Sequence, residues 1–210
     1  MRVAQWAMAG NGSPERAARG RSPGRPRDIT LDNAISRAAA RHLGERGFAG
    51  MSIEGVAAAA GTTPPSLRRR FRNKLQLAMA GINAIRTEPP PAPTGDPRAD
   101  ALAILGSLRV NLARRNGMAI LGTVLAEQRR HPELLEQFRR RLDEPLREHL
   151  RETLALGIRA GQLQPGLDID AVVSLLIGSL YAQYVRTQQI PDDWAERTLS
   201  VIWPPTAAAG

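Results

Sequence analysis

Apolar residues recur every three or four positions through most of the chain, which is the spacing of one face of an α-helix. Leu102, Leu105, Leu108 and Leu112 show this spacing clearly. The pattern predicts an all-α fold. We expect helices over about 31–46, 53–60, from Pro64, 74–86, from Pro97, 117–130, 132–160, 169–186 and 192–203.

Residue types at the ends of these segments support the helix boundaries. Ser52, Thr63 and Asn73 suit N-cap positions, because their side chains accept a hydrogen bond from an early backbone N–H. Gln76 lies three residues after Asn73, as in a capping box. Pro145 lies inside the longest segment and predicts a kink or break there. Further N-cap candidates are Asp96 and Asp168, and glycines that suit helix ends are Gly47, Gly61 and Gly161.

Two stretches without apolar periodicity divide the chain. Residues 1–27 are rich in Gly, Pro, Ser and Arg, which predicts a disordered basic arm. Residues 88–97 contain five prolines and predict a stiff connector. The chain should therefore carry one helical domain at 28–87, a second at 98–203, and a short tail at 204–210.

The segment that follows Asp168 is apolar nearly all round its helical projection. One layer of neighbouring helices does not cover such a helix, so a second copy of the chain is the expected cover. The last predicted helix adds apolar residues to the same surface. The expected homodimer interface consists of Val172, Leu175, Leu176, Leu180, Tyr184, Trp194, Leu199 and Ile202.

The amino-acid composition favours a helical protein and is compatible with a reducing compartment. Hydrophobic residues make up 42% of the chain but aromatic residues only 4%, so aliphatic side chains must fill the core. There is no cysteine, which removes disulfides and thiolate metal sites and fits a reducing compartment. With no apolar run near the 20 or so residues needed to span a bilayer, we expect a cytoplasmic protein with no membrane partner.

The net charge of +9 is confined to the first part of the chain. Residues 1–88 hold 15 basic and 6 acidic residues, whereas residues 89–210 hold 14 of each. All but one of the basic residues are arginines, as codon bias would produce, but such a bias acts on both parts equally. A basic head on a neutral body predicts a polyanionic partner, because Lys and Arg displace counterions from phosphates.

The segment 53–71 contains the ingredients of a helix-turn-helix, which are two short helices joined by a turn with glycine. Leu67 and Phe71, four residues apart, would pack the second helix onto its neighbours. Arg68 and Arg69 would then face outward toward DNA, with Arg70 nearer the flank. A solvated arginine face with no partner is the alternative interpretation of the same three residues.

The run ISRAAARHLGERGFAGMSIEGVAAAAGTTPPSLRRRFRNKLQL, residues 35–77, resembles the DNA-binding domain of TetR-family transcriptional regulators. The matching features include Glu45-Arg46-Gly47-Phe48, Ala60-Gly61 and Lys74. The stretch from Pro132 to Tyr184 resembles, more weakly, the dimerisation segment of such regulators. The resemblance implies a DNA-binding repressor that a small effector releases from its operator, with double-stranded DNA, an unknown effector and a second copy as partners.

The resemblance also implies which residues contact DNA. Ser52 and Lys74 occupy backbone-contact positions, and the front of the recognition helix supplies base or phosphate contacts. Arg68 stands where the family usually has Tyr, so it would contact phosphate or a guanine. Arg25 and Arg27 of the arm could enter the adjacent minor groove. The full set of expected DNA contacts is Arg25, Arg27, Ser52, Thr63, Pro64, Pro65, Ser66, Arg68, Arg69 and Lys74.

In this family the second domain surrounds an effector pocket, which the resemblance places among the apolar faces of residues 98–203. Ordinary core packing is the alternative for each position, because apolar stripes at helical spacing usually form core. The candidate lining residues are Leu108, Asn111, Met118, Leu121, Leu125, Phe138, Leu142, Ile177 and Tyr181.

Motifs of catalysis are missing from the sequence. It contains no phosphate-binding loop, no G-x-S-x-G elbow and no paired histidines at metal spacing. His42, His131 and His149 are scattered, so we expect no enzyme activity, no metal and no cofactor. A non-specific architectural DNA-binding protein remains the alternative function, although it would need no neutral second half.

Overall fold

The computed structural model describes residues 29–85, 92–113 and 116–204. These residues form helices and connecting turns without a strand, and no helix among them combines the length and apolar character needed to cross a membrane. The arm with Arg25 and Arg27 lies outside the described residues, as do residues 88–91 of the connector and 205–210 of the tail. The helices are α1 Ile29–Gly50, α2 Ile53–Ala59, α3 Pro64–Arg70, α4 Lys74–Asn83, α5 Pro97–Ala113, α6 Gly117–Glu127, α7 Pro132–Phe138, α8 Glu144–Arg159, α9 Ile169–Thr187 and α10 Trp194–Ser200.

The N-caps of the first part lie where the sequence places them. Ser52 Oγ accepts a hydrogen bond from the Gly55 N–H at 3.1 Å, and Thr63 Oγ1 accepts one from the Ser66 N–H at 3.4 Å. Asn73 Oδ1 accepts from the Gln76 N–H at 2.9 Å. These three caps are confirmed. The return bond of the capping box differs, because Gln76 Oε1 accepts from the N–H of Arg72 and not from that of Asn73.

Gly47 breaks α1 as expected. Its φ of 67° lies in the region that glycine adopts without steric cost, and helical structure resumes for one short turn beyond it. Phe48 follows immediately and is 8% exposed, so the break directs this ring into the core. Gly161, with φ of 70°, ends α8 in the same way.

The segment predicted as one helix from Pro132 to about Ala160 contains a π-helical turn, Arg139–Asp143, between α7 and α8. Pro145 explains its position. Proline has no N–H, so the carbonyl of Arg141 has no donor four residues later. In the π turn the donors shift by one residue, as the bond from the Glu144 N–H to the Arg139 carbonyl shows. The expected break is therefore present as a wider turn just before the proline.

A first hydrophobic core joins α1–α4 to α6 and α7. Ile35, Leu43, Leu67 and Leu77 from the first four helices are fully buried in it together with Leu134 of α7. The α1 helix packs along both α4 and α6. The first core therefore contains residues from both sides of the predicted division at residues 88–97.

A second core forms between α5, α8, α9 and α10. Its C-terminal end is fixed by Arg98, which donates to the Trp203 carbonyl at 3.1 Å and pairs with Glu196 at 2.5 Å. The indole of Trp203 lies on Gly157, where an added Cβ would come within 2.3 Å of the ring. The end of the described chain is therefore packed against α5 and α8.

This second core buries part of the surface that the sequence assigns to the dimer interface. Neighbours within the same subunit cover one side of α9 and of α10, so five of the eight predicted residues are buried without a second copy. Tyr184 and Ile202 are half-buried, and Leu175 is 67% exposed. The five residues buried within the subunit are Val172, Leu176, Leu180, Trp194 and Leu199.

Candidate DNA-binding surface and effector cavity

The pair α2 and α3 has the geometry of a helix-turn-helix. Gly61 begins the turn with φ of 66°, and Thr63 caps α3 two residues later. Leu67 is fully buried and anchors α3 on the core, while Phe71 packs partly buried at its end. Arg68 and Arg69 are exposed on the opposite side of α3. The packing therefore presents these two arginines to solvent, as the spacing predicts.

The front of α3 is exposed or half-exposed from Thr63 to Ser66. Pro64 and Pro65 occupy the first helical positions, where their missing N–H groups cost no hydrogen bond. The N–H of Ser66 is bonded to the Thr63 hydroxyl. The Ser52 hydroxyl, which the sequence places near a phosphate, is likewise the cap of α2. Both hydroxyls thus stabilise helix ends in the free protein.

Each of the three consecutive arginines of α3 has a different environment. Arg68 pairs with Glu54 of α2, with 2.6 Å between Nη2 and Oε1. Arg70 pairs with Asp32 of α1 and is less exposed than Arg68. The side chain of Arg69 is exposed and makes no hydrogen bond or ion pair with any described residue. Sequence reasoning missed both acidic partners, which lie far from α3 along the chain and carry no periodic signal.

Lys74 lies at the start of α4 beside the end of α1. Its ammonium donates to the Ala49 carbonyl at 2.8 Å and lies 4.8 Å from the centre of the Phe48 ring, in cation–π range. The other neighbour of this ring is His131, with ring centres 4.5 Å apart. Lys74 is thus held at the corner where α1, α4 and the start of α7 meet.

A cavity of about 70 Å³ lies between the end of α4 and helices α5, α7, α8 and α9. Five of the predicted lining residues surround it. Its wall is mainly aliphatic, and the π turn contributes two of its residues. The predicted residues that line it are Leu108, Asn111, Phe138, Leu142 and Tyr181, and the further ones are Ile85, Ile104, Ser107, Leu112, Asp143, Leu146 and His149.

Four predicted pocket residues lie elsewhere. Leu125 is 46% exposed on α6 and does not line the cavity. Leu121 is buried in the first core and Ile177 in the second, so both serve packing. Met118 is half-buried between the two cores. Helical spacing identified these residues as apolar but did not distinguish core from cavity.

The cavity wall also carries polar groups, which are Ser107 and Asn111 of α5, Asp143 of the π turn, His149 of α8 and Tyr181 of α9. Arg147 Nε donates to Asp143 Oδ2 at 2.8 Å, which balances that carboxylate. Burial raises the pKa of the Tyr181 phenol to about 12, and the negative charge of Asp143 adds to the shift. The Tyr181 hydroxyl therefore stays protonated and can donate a hydrogen bond to a bound molecule.

An apolar groove lies on the outside of α9 and α10. Leu175 and Val201 are 67% and 83% exposed on its rim, and Ile202 is half-buried beside them. Val172, Leu176 and Trp194 form its floor. Of the dimer residues expected from the sequence, Leu175 and Ile202 are thus the ones with exposed surface at this groove. Val201 was not predicted, although it adjoins Ile202 in the sequence.

Within the described ranges, no group of three or more His, Cys, Asp or Glu side chains is arranged to hold a metal ion.

Two family models match the chain. Residues 35–80 match the model for bacterial regulatory proteins of the tetR family. Residues 91–202 match the model for the tetracyclin repressor-like C-terminal domain. The two matches cover the helix-turn-helix and the cavity-bearing half respectively.

Individual relatives agree with these matches. An uncharacterized HTH-type transcriptional regulator, YdeS of Bacillus subtilis (strain 168), is 29% identical over 177 residues, which are 84% of this chain and 89% of that protein. FadR from Bacillus subtilis, solved with stearoyl-CoA, is 19% identical with a TM-score of 0.60, covering 80% of this chain and 94% of that one. AibR, solved with isovaleryl coenzyme A and operator DNA, is 17% identical with a TM-score of 0.58, covering 83% and 99%. The two structures show a shared fold.

Proposed function

Because the chain belongs to the TetR family of DNA-binding transcriptional regulators, which are not enzymes, we propose that it is a cytoplasmic repressor released from its operator by a small effector. The proposed domains are the basic arm 1–27, the DNA-binding domain 28–87, the connector 88–97, the effector and dimerisation domain 98–203 and the tail 204–210. The observation that carries the proposal is the exposure of Arg68 and Arg69 on α3, which Leu67 anchors to the core.

The proposed DNA-binding surface combines α3 with the starts of α2 and α4. The capped N-terminus of α3 adds partial positive charge where phosphates approach. Lys74 supplies a fixed ammonium at the start of α4. Thr63, Ser66 and the two prolines shape the front of the helix, and the arm with Arg25 and Arg27 would extend the contact along the duplex.

The proposed effector site is the cavity, because its wall joins the two parts of the chain. Ile85 follows the last DNA-binding helix, whereas Leu142 and Tyr181 belong to the cavity-bearing half. A ligand that separates these walls would shift α4 and with it α3. FadR and AibR bind acyl-CoA molecules, so acyl-CoA thioesters are the first effectors to test. The aliphatic wall suits an acyl chain, and the Tyr181 hydroxyl suits a carbonyl oxygen.

The proposed dimer forms through the groove on α9 and α10. A twofold axis there would bring Leu175, Val201 and Ile202 of two subunits together and cover the exposed apolar side chains. The dimer would present two copies of α3 to successive major grooves.

DNA binding is tested by gel shift and by salt dependence. Arg68→Ala and Lys74→Ala should each weaken operator binding without unfolding the protein, whereas Arg159→Ala, which removes an exposed arginine at the end of α8, should not. For a dimer with about three phosphate contacts per subunit, log affinity should fall with log salt at a slope of about −5. Unchanged affinity in both variants would refute the contact assignment.

The architectural alternative predicts a different outcome in a competition assay. Excess unrelated duplex should displace an architectural protein from any DNA but leave a repressor on its operator.

The effector site is tested in the same assay. An acyl-CoA that occupies the cavity should release the operator, and Leu142→Trp, which fills the cavity, should abolish that release while DNA binding is kept.

A further inference from the structure

The side chains of Arg68, Arg69 and Arg70 on α3 have different surroundings, which indicates that they have different roles. We propose that Glu54 is a positioning residue for sequence recognition, which holds the Arg68 guanidinium in place for a base, while Arg69, which has no ion pair among the described residues, contacts phosphate. Arg70, paired with Asp32, braces α3 against α1. This inference rests on the proposed binding of an operator.

Stability does not account for the pair between Glu54 and Arg68. The two side chains are 61% and 57% exposed, and exposed ion pairs contribute little to folding because water and salt screen them. The α2 helix is already held to α3 by Val56 and Leu67, which are both fully buried. The pair therefore fixes the direction of a side chain more than it fixes the fold.

The chemistry of the guanidinium suits a base contact that is prepared in advance. Arginine has five N–H donors, and Glu54 accepts from Nη2 only. The remaining donors can form the two parallel bonds that guanine O6 and N7 accept in the major groove. Because the side chain is already held, less rotamer freedom is lost when that contact forms.

The charge of Glu54 acts in the same direction. A carboxylate beside the recognition helix repels phosphates, so it weakens binding to DNA that offers Arg68 no guanine. On the correct sequence the guanine contact offsets this repulsion. Glu54 thus raises the ratio of operator to non-operator affinity both by holding Arg68 and by opposing non-specific contact.

The test compares Glu54→Gln with the wild type on two duplexes. The wild type first selects its preferred duplex from a random-sequence library, and a scrambled duplex of equal length and composition serves as competitor. We expect Glu54→Gln to bind the scrambled duplex at least as tightly as the wild type. The ratio of selected to scrambled affinity should fall about tenfold, which is the discrimination of one bidentate base contact. A second selection should show relaxed preference at the contacted base pair.

Glu45→Gln is the matched control. Glu45 is exposed on α1, makes no ion pair with a described residue, and carries the same charge in the same domain. Removing the Glu45 charge should leave the ratio of selected to scrambled affinity unchanged. Arg68→Lys keeps the positive charge but not the paired donors, so it should reproduce the loss, and adding Glu54→Gln to it should change the ratio little.

The outcomes separate this assignment from the proposed function. If Glu54→Gln keeps the wild-type ratio of selected to scrambled affinity, or if Glu45→Gln lowers that ratio equally, the role proposed for Glu54 is refuted. Either result would leave the proposal of operator binding intact. A wild type that selects no sequence would refute operator binding and this assignment together. Circular dichroism melting curves should coincide for all variants, because every substituted side chain is exposed.

Discussion

His42 lies on the inner face of α1 with a polar atom that has no partner. It is 6% exposed, and its Nδ1 is the buried side-chain nitrogen or oxygen that lacks a hydrogen bond among the described residues. Its ring lies against Gly55 of α2, where an added Cβ would come within 2.8 Å of Cε1. Burial lowers the pKa of His42, and the positive charges of Arg46 and Arg41 lower it further.

We expect the stability of the native state to fall as the pH drops below 6.5, the ordinary pKa of histidine. In the unfolded chain His42 keeps that ordinary pKa, so the unfolded state binds the proton more readily and acid favours it. His42→Leu removes this difference and the unpaired nitrogen. Urea unfolding at a series of pH values should show a smaller loss of free energy on acidification for the variant than for the wild type. Equal losses would show that His42 is already free to protonate in the folded protein.

At this scale the sequence predicts contacts that are short in chain distance. The caps Ser52, Thr63 and Asn73 bond to a backbone N–H three residues later, so the residue type and its position suffice. The partner of Arg68 lies 14 residues away and that of Arg70 lies 38 residues away. Such pairs depend on how the helices cross, which no local pattern contains.

Two helices of the first core cross at a glycine. The Cβ of an alanine at position 81 would lie 2.9 Å from the backbone nitrogen of Ala40, so α4 can approach α1 this closely only without a side chain at that point. The approach would matter for the proposed function, because α4 carries Lys74 at one end and leads to Ile85 in the cavity wall at the other.

Gly81→Ala should destabilise the protein by about 1–3 kcal/mol, because backbone atoms of α1 must move to admit the methyl group. Gly106→Ala is its matched control on α5, where an added Cβ meets nothing within 4 Å. That substitution should stabilise the protein by about 0.5–1 kcal/mol through its effect on helix propensity. Chemical denaturation measures both changes, and a neutral Gly81→Ala would show that the two helices are free to separate.

Element boundaries could be predicted where a cap or a glycine marks them, but the π turn could not be placed. Its signal lies in the spacing of Phe138, Leu142, Leu146, Leu150 and Leu154, which recur every four residues. Four residues exceed an α-helical turn of 3.6 by about 40° at each step, so the stripe drifts around a regular helix. A wider turn offsets part of that drift, and Pro145 fixes where it occurs. The spacing of the apolar residues shows how far the stripe drifts in total, but it does not show at which residue a π turn offsets that drift.

At the scale of the whole molecule, self-association determines how the two copies of α3 are spaced. The groove on α9 and α10 is bordered by exposed apolar side chains, of which Leu175 and Val201 are prominent. Five of the eight residues predicted for the interface are buried within the subunit, because apolar content does not reveal whether a neighbour comes from the same chain.

Leu175→Glu combined with Val201→Glu should convert the proposed dimer to monomers, since like charges would meet across the twofold axis. Operator affinity should fall by about a hundredfold or more, because the second half-site no longer binds as part of one particle. Leu156→Glu is the control, as Leu156 is 44% exposed on α8 and does not line the groove. Light scattering after gel filtration gives the mass of each variant. A wild-type protein that is already monomeric at micromolar concentration would contradict the interface.

The all-α architecture and the helix-turn-helix could be predicted from residue spacing, because both depend on local periodicity. The cavity could be predicted only in part, since Phe138 and Leu121 carry the same apolar signal while only Phe138 borders the empty space. Ile85 and Asp143 were missed because their place in the wall follows from the arrangement of whole helices.

The continuity of the first core limits what protein engineers can take from this molecule. Helices α6 and α7 supply Ile120, Val124 and Leu134 to the interior that α1–α4 share. A fragment cut at the proline-rich connector would expose to water the side chains that pack against α6 and α7. A chimera that joins only α1–α4 to a foreign sensor domain would therefore lack part of its hydrophobic core. A chimera that exchanges the effector-binding part should instead keep α6 and α7 together with α1–α4.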